Sequence, residues 1–317
     1  MCLRRLAILC SALIFAGVHN ECHAQCTRCE ESRFYFTAES LLWDLSPATN
    51  RVTTVDDITS AGVMESDDAN PDAAFLPRFM GRWEKGRNAL ELSYWGMGDW
   101  EDSATVVGDN NLSLPGAVAL ATLDFFAADR MTITNDAQIH NIEVNAWRRV
   151  NQSAEFLLGF RYLDFDETFN INSFDLDSGT SDYRIDTENE LFTLQTGARL
   201  SGCVMGWNYQ ALGKIGAGIA DTRQHTFLGD FNNTAVLRNS SNDAEEFTLV
   251  SELGLKFTRQ LTTNISLTVG YDVLWVDNIA RAGNQLDFTD VAGSGTGLHN
   301  HGRAFMHGGS LGLTMRL

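Results

Sequence analysis

The sequence predicts an all-β fold: a closed, antiparallel, up-and-down β-barrel that spans a membrane with about ten strands, or alternatively twelve. Three observations predict it. Apolar and polar residues alternate with period two along most of the chain after residue 32, as in strands with two unlike faces. Short and long connections between these segments alternate regularly. Beyond residue 18 no apolar run is long enough for a membrane-spanning helix.

The N-terminal region has the layout of an export signal. Arg4 and Arg5 precede an apolar run from Leu6 to Val18, and a short polar stretch then ends at Ala24. This order is typical of a cleaved secretory signal peptide, and about thirteen apolar residues are too few to span a bilayer as a helix. The predicted segments are a signal peptide (residues 1–24), a short periplasmic segment (25–31) and an outer-membrane barrel (32–317).

Three cysteines follow the predicted cleavage site: Cys26, Cys29 and Cys203. An odd number permits one disulfide and one free thiol in an exported protein. Cys26 and Cys29 have the CxxC spacing, but they lack both the following His of a haem attachment site and the second pair of a zinc site. Cys203 falls in a predicted periplasmic turn, on the same side as the other two, and can meet either of them.

The predicted strands are separated by connections of two kinds. Short turns on one side and long loops on the other are typical of an outer-membrane barrel, with turns in the periplasm and loops outside. The connections of a soluble sandwich would mix the two lengths. The short connections are residues 84–88, 149–153, 201–206 and 259–263, and the long ones are 44–74, 97–131, 164–188, 221–245 and 277–302.

The two faces of the strands indicate what lies inside. In lipid every backbone NH and CO group must be paired within the protein, so a sheet spans only when it closes on itself. The apolar face then contacts lipid and the charged face lines the lumen. The predicted lumen-lining residues are Glu91, Glu143, Glu155, Arg161, Arg199, Lys214, Glu252, Lys256 and Asp272.

Tryptophans lie near both ends of the predicted strands, and Trp and Tyr favour the interfaces of a bilayer. This placement predicts two aromatic girdles. Trp83, Trp147 and Trp207 would form the one beside the short turns, and Trp43, Trp95 and Trp275 the one beside the long loops.

The chain has a formal net charge of -18 and an isoelectric point near 4.6. Nucleic-acid binding requires clustered Lys and Arg, so this composition excludes nucleic acid as a partner. Much of the acidity falls in the long connections, as solvated extracellular loops would show. Residues 175–180 lack the ligand spacing of a calcium loop, and neither a metal nor another cofactor is predicted.

Four segments resemble the planctomycete family of beta-barrel porins that is number seven among such porin families. These segments are residues 38–43 (AESLLW), 159–167 (GFRYLDFDE), 187–198 (TENELFTLQTGA) and 307–317 (HGGSLGLTMRL). That family is similar to a group of pore-forming outer-membrane proteins described in Legionella. The resemblance implies an outer-membrane barrel with pore function and supplies no catalytic residues.

The predicted function is therefore an outer-membrane barrel that is either a narrow porin-like channel or a structural surface protein. Inward side chains fill much of a narrow cylinder, so pairing of the lumen cations with the lumen carboxylates would leave little conduction. The expected partners are outer-membrane lipid, the barrel-assembly machinery and small solutes or ions.

Two other functions stay open. A hydrolase embedded in the barrel would need a histidine within reach of an orienting acid and a nucleophile or water. The candidate histidines are His140, His225, His299 and His301. The sequence shows no such convergence, so no enzyme is predicted. The other alternative is a secreted soluble β-protein or adhesin that binds partners through its loops.

Overall fold

The computed structural model describes residues 32–177 and 179–317. The predicted signal peptide and periplasmic segment lie outside these residues, as do Cys26 and Cys29. No helix in the described part is long and apolar enough to cross a membrane. The strands are β1 (Arg33–Leu45), β2 (Val52–Asp56), β3 (Gly62–Glu65), β4 (Ala74–Lys85), β5 (Asn88–Ser113), β6 (Ala128–Arg149), β7 (Ala154–Asp175), β8 (Gly179–Val204), β9 (Trp207–Asp230), β10 (Ala235–Gln260), β11 (Ile265–Ile279) and β12 (Gly302–Arg316). Short 3-10 helices cover Ser66–Ala69, Ala117–Ala121 and Ala282–Gln285.

Ten of these strands form a closed ring. β1 pairs with β4 on one side and with β12 on the other, and from β4 to β12 each strand pairs with the next along the chain. Every pairing is antiparallel, as in the pairs β5–β6 and β10–β11. β2 and β3 form a small hairpin that joins the upper end of β5 beside the ring. The predicted closed antiparallel barrel of about ten strands is confirmed.

The four short turns all lie at one end of the barrel. One of the two two-residue turns joins β8 to β9 through Met205 and Gly206, whose φ angles are 49° and 79°. Positive φ at both central residues is what a two-residue hairpin turn requires. We assign this end to the periplasm, because short turns mark that side in outer-membrane barrels.

A band of apolar side chains covers the outer wall above the short turns. Its members are exposed on the surface of the protein, as lipid-facing residues are. They include Phe34, Phe36, Phe79, Trp83, Leu90, Leu92, Ile142, Val144, Phe156, Leu158, Phe160, Phe192, Leu194, Ile215, Ile219, Phe247, Leu253, Leu255, Tyr271, Leu311 and Leu313. This band is the membrane-spanning part of the barrel.

The strands continue far beyond that band. β5, β8 and β10 each have 26 residues, which is roughly 85 Å of extended chain, whereas about nine to eleven tilted residues cross a bilayer. On β7 the outward row changes from Phe160 and Tyr162 to Asp164 and Asp166, and on β8 Phe192 is followed upward by Glu190. The upper part of the barrel therefore stands in water.

We call this upper part the tower. It consists of residues 44–74, 97–140, 164–190, 221–246 and 277–303. It contains 31 of the acidic residues and seven of the basic ones, a formal charge of -24. The rest of the chain is net positive.

The predicted long loops are shorter in the structure. Most of residues 97–131, 164–188 and 221–245 continue β5, β6, β7, β8, β9 and β10. In these stretches most acidic residues face outward while apolar residues face inward, for example Asp164 and Asp166 on either side of the buried Phe165. The acidic residues that led to the prediction of loops therefore lie on the water-exposed outer face of strands.

Candidate functional site: the bore of the barrel

Residue parity decides which side chains enter the bore. On β6 Glu143, Asn145 and Trp147 are buried, while Ile142 and Val144 are exposed on the outer wall. Successive side chains of a strand point to opposite faces. Once one charged residue of a strand has been assigned to the bore, the residues two, four and six positions away are therefore assigned to the bore as well. In the membrane-spanning part this inward set is rich in charge, and we call it the charged layer.

The lowest group of the charged layer lies just above the short turns. Arg82 on β4 lies 3.2 Å from Glu91 on β5 and 2.9 Å from Glu155 on β7. Arg199 on β8 lies 3.2 and 3.5 Å from the same two carboxylates. The guanidinium carbons of Arg82 and Arg199 lie 5.5 and 4.0 Å from the Trp147 ring centroid. This group links strands that are up to three positions apart around the ring.

A second group lies deeper in the bore. Arg161 on β7 is 2.9 Å from Glu143 on β6 and also contacts Glu252 on β10. Lys214 on β9 lies 2.8 Å from Glu143 and 3.1 Å from Glu252. The amide of Gln195 donates to Glu143 at 2.8 Å. Two cations and two carboxylates from four strands thus form one connected cluster.

A third group completes the charged layer. Arg78 on β4 binds Glu39 on β1 and lies 3.0 Å from Asp272 on β11. The ammonium of Lys256 on β10 lies 2.9 Å from both Glu39 oxygens. Removing charges from water is costly, and the cost is offset only where each charge has several well-placed partners. Ten of the twelve charges in the three groups have two or more opposite charges as partners, whereas Lys256 and Asp272 have one each. The Nε and Nη1 atoms of Arg161 and the Oδ1 atom of Asp272 have no hydrogen-bond partner among the described residues.

The nine sequence-predicted lumen residues all belong to these groups, and the structure brings them together across the bore. Sequence reasoning missed Glu39, Arg78 and Arg82. The lumen-facing parity of β1 and β4 would have identified them, because Arg78 and Arg82 share one face of β4 opposite the exposed residues Phe79 and Trp83. The aromatic content of these two strands obscured that alternation.

The predicted girdles need correction. Trp83 and Trp275 are exposed on the outer wall and Trp207 is partly exposed, but Trp43, Trp95 and Trp147 are buried in the bore. Their parity explains the difference. Each buried Trp shares its strand face with a lumen carboxylate, namely Glu39 for Trp43, Glu91 for Trp95 and Glu143 for Trp147.

Above the charged layer the bore is filled with apolar side chains. Trp43 and Trp95 pack with ring centroids 5.0 Å apart, and the indole NH of Trp100 donates to the Trp43 carbonyl at 2.9 Å. We call this set the apolar layer. It consists of Leu41, Trp43, Leu45, Ala74, Leu76, Trp95, Trp100, Ala137, Ile139, Leu163, Phe165, Leu191, Ala220, Val250, Leu274, Val276, Ile279, Ala304 and Met306.

The connection between β11 and β12, residues 280–301, folds back into the tower. Its Arg281 forms a bidentate pair with Glu167 of β7, with nitrogen to oxygen distances of 3.0 and 2.9 Å, and both side chains are buried. The Arg281 guanidinium also donates to the carbonyls of Arg303 and Ser46. Asn189 of β8 exchanges two hydrogen bonds with the backbone of Ala280. The loop is thereby fixed to three parts of the wall.

Two further connections close the top around this loop. Met64 from residues 46–73, Val118 and Phe125 from residues 114–127 and Leu286 from residues 280–301 pack in one buried apolar cluster. The Val118 amide donates to the Phe288 carbonyl at 3.2 Å. The extracellular mouth is therefore closed by three of the chain's own loops.

A small cavity lies beside the loop of residues 280–301. The cavity lined by Pro47, Asn135, Glu167, Phe169 and Gly283 measures about 10 Å³, which is about the room for one water molecule. A larger groove of about 220 Å³ lies on the outer wall of the tower. Its lining includes Asp186, Glu188, Arg223, His225 and Asp243.

Crowded carboxylates on the outer wall of the tower influence one another. Burial, together with the negative charges of Asp164 and Glu188, raises the pKa of Asp166 from 3.8 to about 6. Burial and the neighbouring Asp99 and Glu101 likewise raise the pKa of Asp136. Like charges held close together disfavour ionisation, so this wall carries less negative charge near pH 6 than its composition suggests.

The candidate histidines are scattered. His140 bonds to the Tyr94 hydroxyl at 2.9 Å, and His225 contacts Asn239 and lies 3.7 Å from Asp186. Each faces the outer wall. His299 hydrogen-bonds to Gln285 through its backbone amide, and His301 is exposed. Among the residues that the structure describes, no group of three or more His, Cys, Asp or Glu side chains is placed to hold a metal ion.

Cys203 ends β8 beside the turn to β9, and it is disulfide-bonded. Its two candidate partners, Cys26 and Cys29, lie outside the described residues. The choice between them therefore stays a prediction.

The family described as putative beta barrel porin-7 matches residues 80–294. The chain belongs to this family. The match covers most of the wall of the porin-7 barrel, and it confirms the family indicated by the sequence motifs. The planctomycete character of the family and the likeness to Legionella proteins stay predictions. No curated protein matches the chain.

Solved structures show the same fold. The porin-7 chain is similar to the outer membrane protease OmpT from Escherichia coli, with a TM-score of 0.53, 9% identity and coverage of 90% of this chain and 97% of that one. It also matches the translocator domain of the autotransporter NalP from Neisseria meningitidis, with a TM-score of 0.42, 11% identity and coverage of 98% and 93%. Likeness at such low identity concerns the fold alone. The family match identifies a porin-like barrel of the outer membrane.

Proposed function

We propose that this porin-like barrel acts chiefly as a structural surface protein, because its bore is closed to solutes. The observation that carries the proposal is the stack of two filled layers. Ion pairs in the charged layer link strands that lie three positions apart around the ring, for example Arg161 on β7 with Glu252 on β10 and Arg78 on β4 with Asp272 on β11. The apolar layer lies directly above.

The apolar layer is the stronger barrier. Hydrated ions do not enter a dry, close-packed cluster without a large free-energy cost. Trp43, Trp95 and Trp100 occupy its centre and are almost completely buried. A solute that passed the charged layer would still have to displace these rings and then the loop of residues 280–301.

Planar-bilayer recording tests the proposal directly. Purified, refolded protein is expected to give no current steps in 1 M KCl, while a known open porin in the same bilayers gives regular steps. Electrophoresis of the same refolded protein with and without boiling checks that the barrel has formed, since a closed barrel migrates faster when it has not been boiled. Regular unitary steps from protein that passes this check would refute the closed bore.

A variant supplies the matched control inside the chain. The double substitution Trp43→Ala and Trp95→Ala removes two large rings from the apolar layer and leaves the charged layer unchanged. We expect it to conduct more than the wild type, or to show flickering openings, if the apolar layer is the barrier. Conduction by the wild type and the variant at the same level would contradict that assignment.

An enzyme and a soluble adhesin have less support. A catalytic histidine needs both an orienting acid and a nucleophile within hydrogen-bond reach, and the contacts of His140 and His225 with Tyr94, Asn239 and Asp186 do not combine these. Purified protein is expected to be inert toward peptides and phospholipids. A water-soluble adhesin would have to expose the whole apolar band to solvent, so we expect the protein to need detergent.

A further inference from the structure

Several lipid-facing rows of the barrel end in a charged residue, which is acidic toward the tower and basic toward the short turns. Toward the tower, the outward row of β7 continues from Tyr162 to Asp164, and that of β10 from Phe247 to Glu245. Toward the short turns, the outward row of β4 ends at Lys85. The corresponding rows of β6 and β10 end at Arg148 and Arg259. Each face of the membrane therefore meets a different charge.

The cations at the lower end are concentrated in one place. Lys85 on β4 is the register partner of Asn88 on β5, and Asn88 is the partner of Arg148 on β6. Register partners lie side by side on the same face of a sheet. Arg87 sits in the turn between β4 and β5, and its carbonyl accepts a hydrogen bond of 2.7 Å from the Arg149 amide. We call Lys85, Arg87 and Arg148 the basic foot.

The charges of the basic foot are free. All three side chains are exposed, and in the part of the chain that the structure describes no carboxylate lies within ion-pair distance of them. Their neighbour Arg149 differs, because it lies 3.3 Å from Glu155 and 3.8 Å from Glu84. The charge of Arg149 is therefore paired within the protein, whereas the three charges of the basic foot are available to an external partner.

The foot lies where phospholipid headgroups lie. Trp83 is 47% exposed on the outer wall and occupies the row immediately above the foot, beside Leu90 and Ala146. An exposed Trp at the end of an apolar band marks the boundary between hydrocarbon and headgroups. One row further down, the side chains of the foot reach the level of the lipid phosphates.

We propose that the basic foot binds the phosphates of anionic phospholipids in the periplasmic leaflet. The proposal rests on the outer-membrane placement of the barrel and not on whether its bore conducts. Guanidinium groups hold phosphate oxygens with paired, charge-assisted hydrogen bonds. Each Lys or Arg near an anionic surface strengthens binding by up to about fivefold, so three together favour an anionic headgroup over a zwitterionic one. The acidic rows at the tower side repel the same lipids and so reinforce the orientation of the barrel.

Fluorescence quenching in vesicles tests the proposal, with Trp83 as the reporter. In a Trp207→Phe and Trp275→Phe background Trp83 is the remaining Trp on the lipid-facing wall, since Trp43, Trp95, Trp100 and Trp147 are buried in the bore. Brominated phosphatidylglycerol is compared with brominated phosphatidylcholine at equal mole fractions. We expect the anionic lipid to bind beside Trp83 roughly three to ten times more strongly. The substitutions K85Q, R87Q and R148Q are expected to bring this ratio close to one.

The matched control removes three arginines from the tower through R184Q, R223Q and R303Q, whose side chains are 53%, 52% and 64% exposed. This variant should retain the wild-type ratio. Equal quenching by the two lipids in the unaltered protein would overturn the proposal, as would an equal loss in the control variant. Loss of the preference on adding inorganic phosphate at constant ionic strength would also overturn it, since the foot would then bind phosphate from any source. Current steps in bilayer recordings would refute the closed bore alone and leave this test unaffected.

Discussion

The membrane-spanning part of the barrel and the tower are built from the same strands, but the polarity of the outward and inward faces is opposite in the two parts. On β7 the membrane segment has Phe160 facing outward and Arg161 facing inward, whereas four residues further along Asp164 faces outward and Phe165 inward. The period of two continues without interruption through Tyr162. The surrounding solvent changes from lipid to water, and the chemistry of each face changes with it.

The comparison shows that one rule governs both parts. Apolar surface is buried away from water in the tower, as in a soluble protein, and polar surface is buried away from lipid in the membrane segment. The interior of the membrane segment is therefore held by ion pairs between strands. The interior of the tower is held by apolar packing and by three loops that fold inward. Substitutions in the two interiors should consequently have different consequences.

The largest effect is expected for Arg161→Ala in the charged layer. Its removal leaves Glu143 and Glu252 buried with Lys214 as their shared cation. Breaking such a buried cluster costs about 3–5 kcal/mol, and we expect the free energy of unfolding to fall by that amount in urea titrations of vesicle-inserted protein. Arg184→Ala is the control, because Arg184 and Asp186 form an exposed pair worth less than about 1 kcal/mol. Equal losses in the two variants would show that the charged layer does not stabilise the barrel.

A smaller, local effect is expected for Arg281→Ala in the tower. This substitution removes the bidentate pair with Glu167 and the bonds to the Arg303 and Ser46 carbonyls. Because the contacts of Arg281 hold a loop against the wall and do not hold two strands together, the loop should open while the barrel stays intact. Limited proteolysis should cut within residues 280–301 at least about tenfold faster, since 1.4 kcal/mol corresponds to a factor of ten.

Arg303→Ala is the control for that experiment, because Arg303 pairs with Asp277 on the exposed wall. Its proteolysis should match the wild type. The faster unboiled migration on gels should persist in both variants. If Arg281→Ala instead abolished that migration, the loop would be a structural part of the barrel and the distinction between the two interiors would fail.

The smallest effect is expected for Asp166→Asn on the outer wall of the tower. The pKa of Asp166 is about 6 in the folded protein against 3.8 ordinarily, so the folded state holds this proton more tightly. The wild type therefore loses stability as the pH rises from 4 through 6, and the loss is complete above 6. Asparagine does not titrate, so the variant should gain on the wild type over that window. Solvent screening limits the gain to less than about 1 kcal/mol, and paired urea titrations at pH 4.5 and 7.5 would measure it.

Period-two alternation made the barrel and much of its interior predictable from sequence. Glu91, Glu143 and Asp272 alternate with apolar residues of the opposite, outward face, so their side chains could be assigned to the bore. The same parity assigns Trp43 and Trp147 to the bore as well, but composition suggested an interface position. Parity is a geometric property of the strand, whereas interface preference is a tendency of the residue type, and here the geometry prevailed.

The tower was harder to predict. Its strands carry Asp164, Asp166 and Glu188 on the outer face, and acidity of this kind resembles that of a loop. The inward row of Leu163, Phe165, Phe169 and Ile171 was the available signal for a continuing strand. The return of residues 280–301 into the tower has no comparable signal. It depends on Arg281 meeting Glu167, which lies 114 positions away.

The seam between β1 and β12 joins the two ends of the barrel sequence through eleven register pairs, from Tyr35 with Arg316 to Leu45 with Met306. Until the last strand has been made and exported, the first has no partner on that side. A product cut short by premature termination would carry two open edges that lipid cannot satisfy. An incomplete copy is therefore not expected to insert into a membrane.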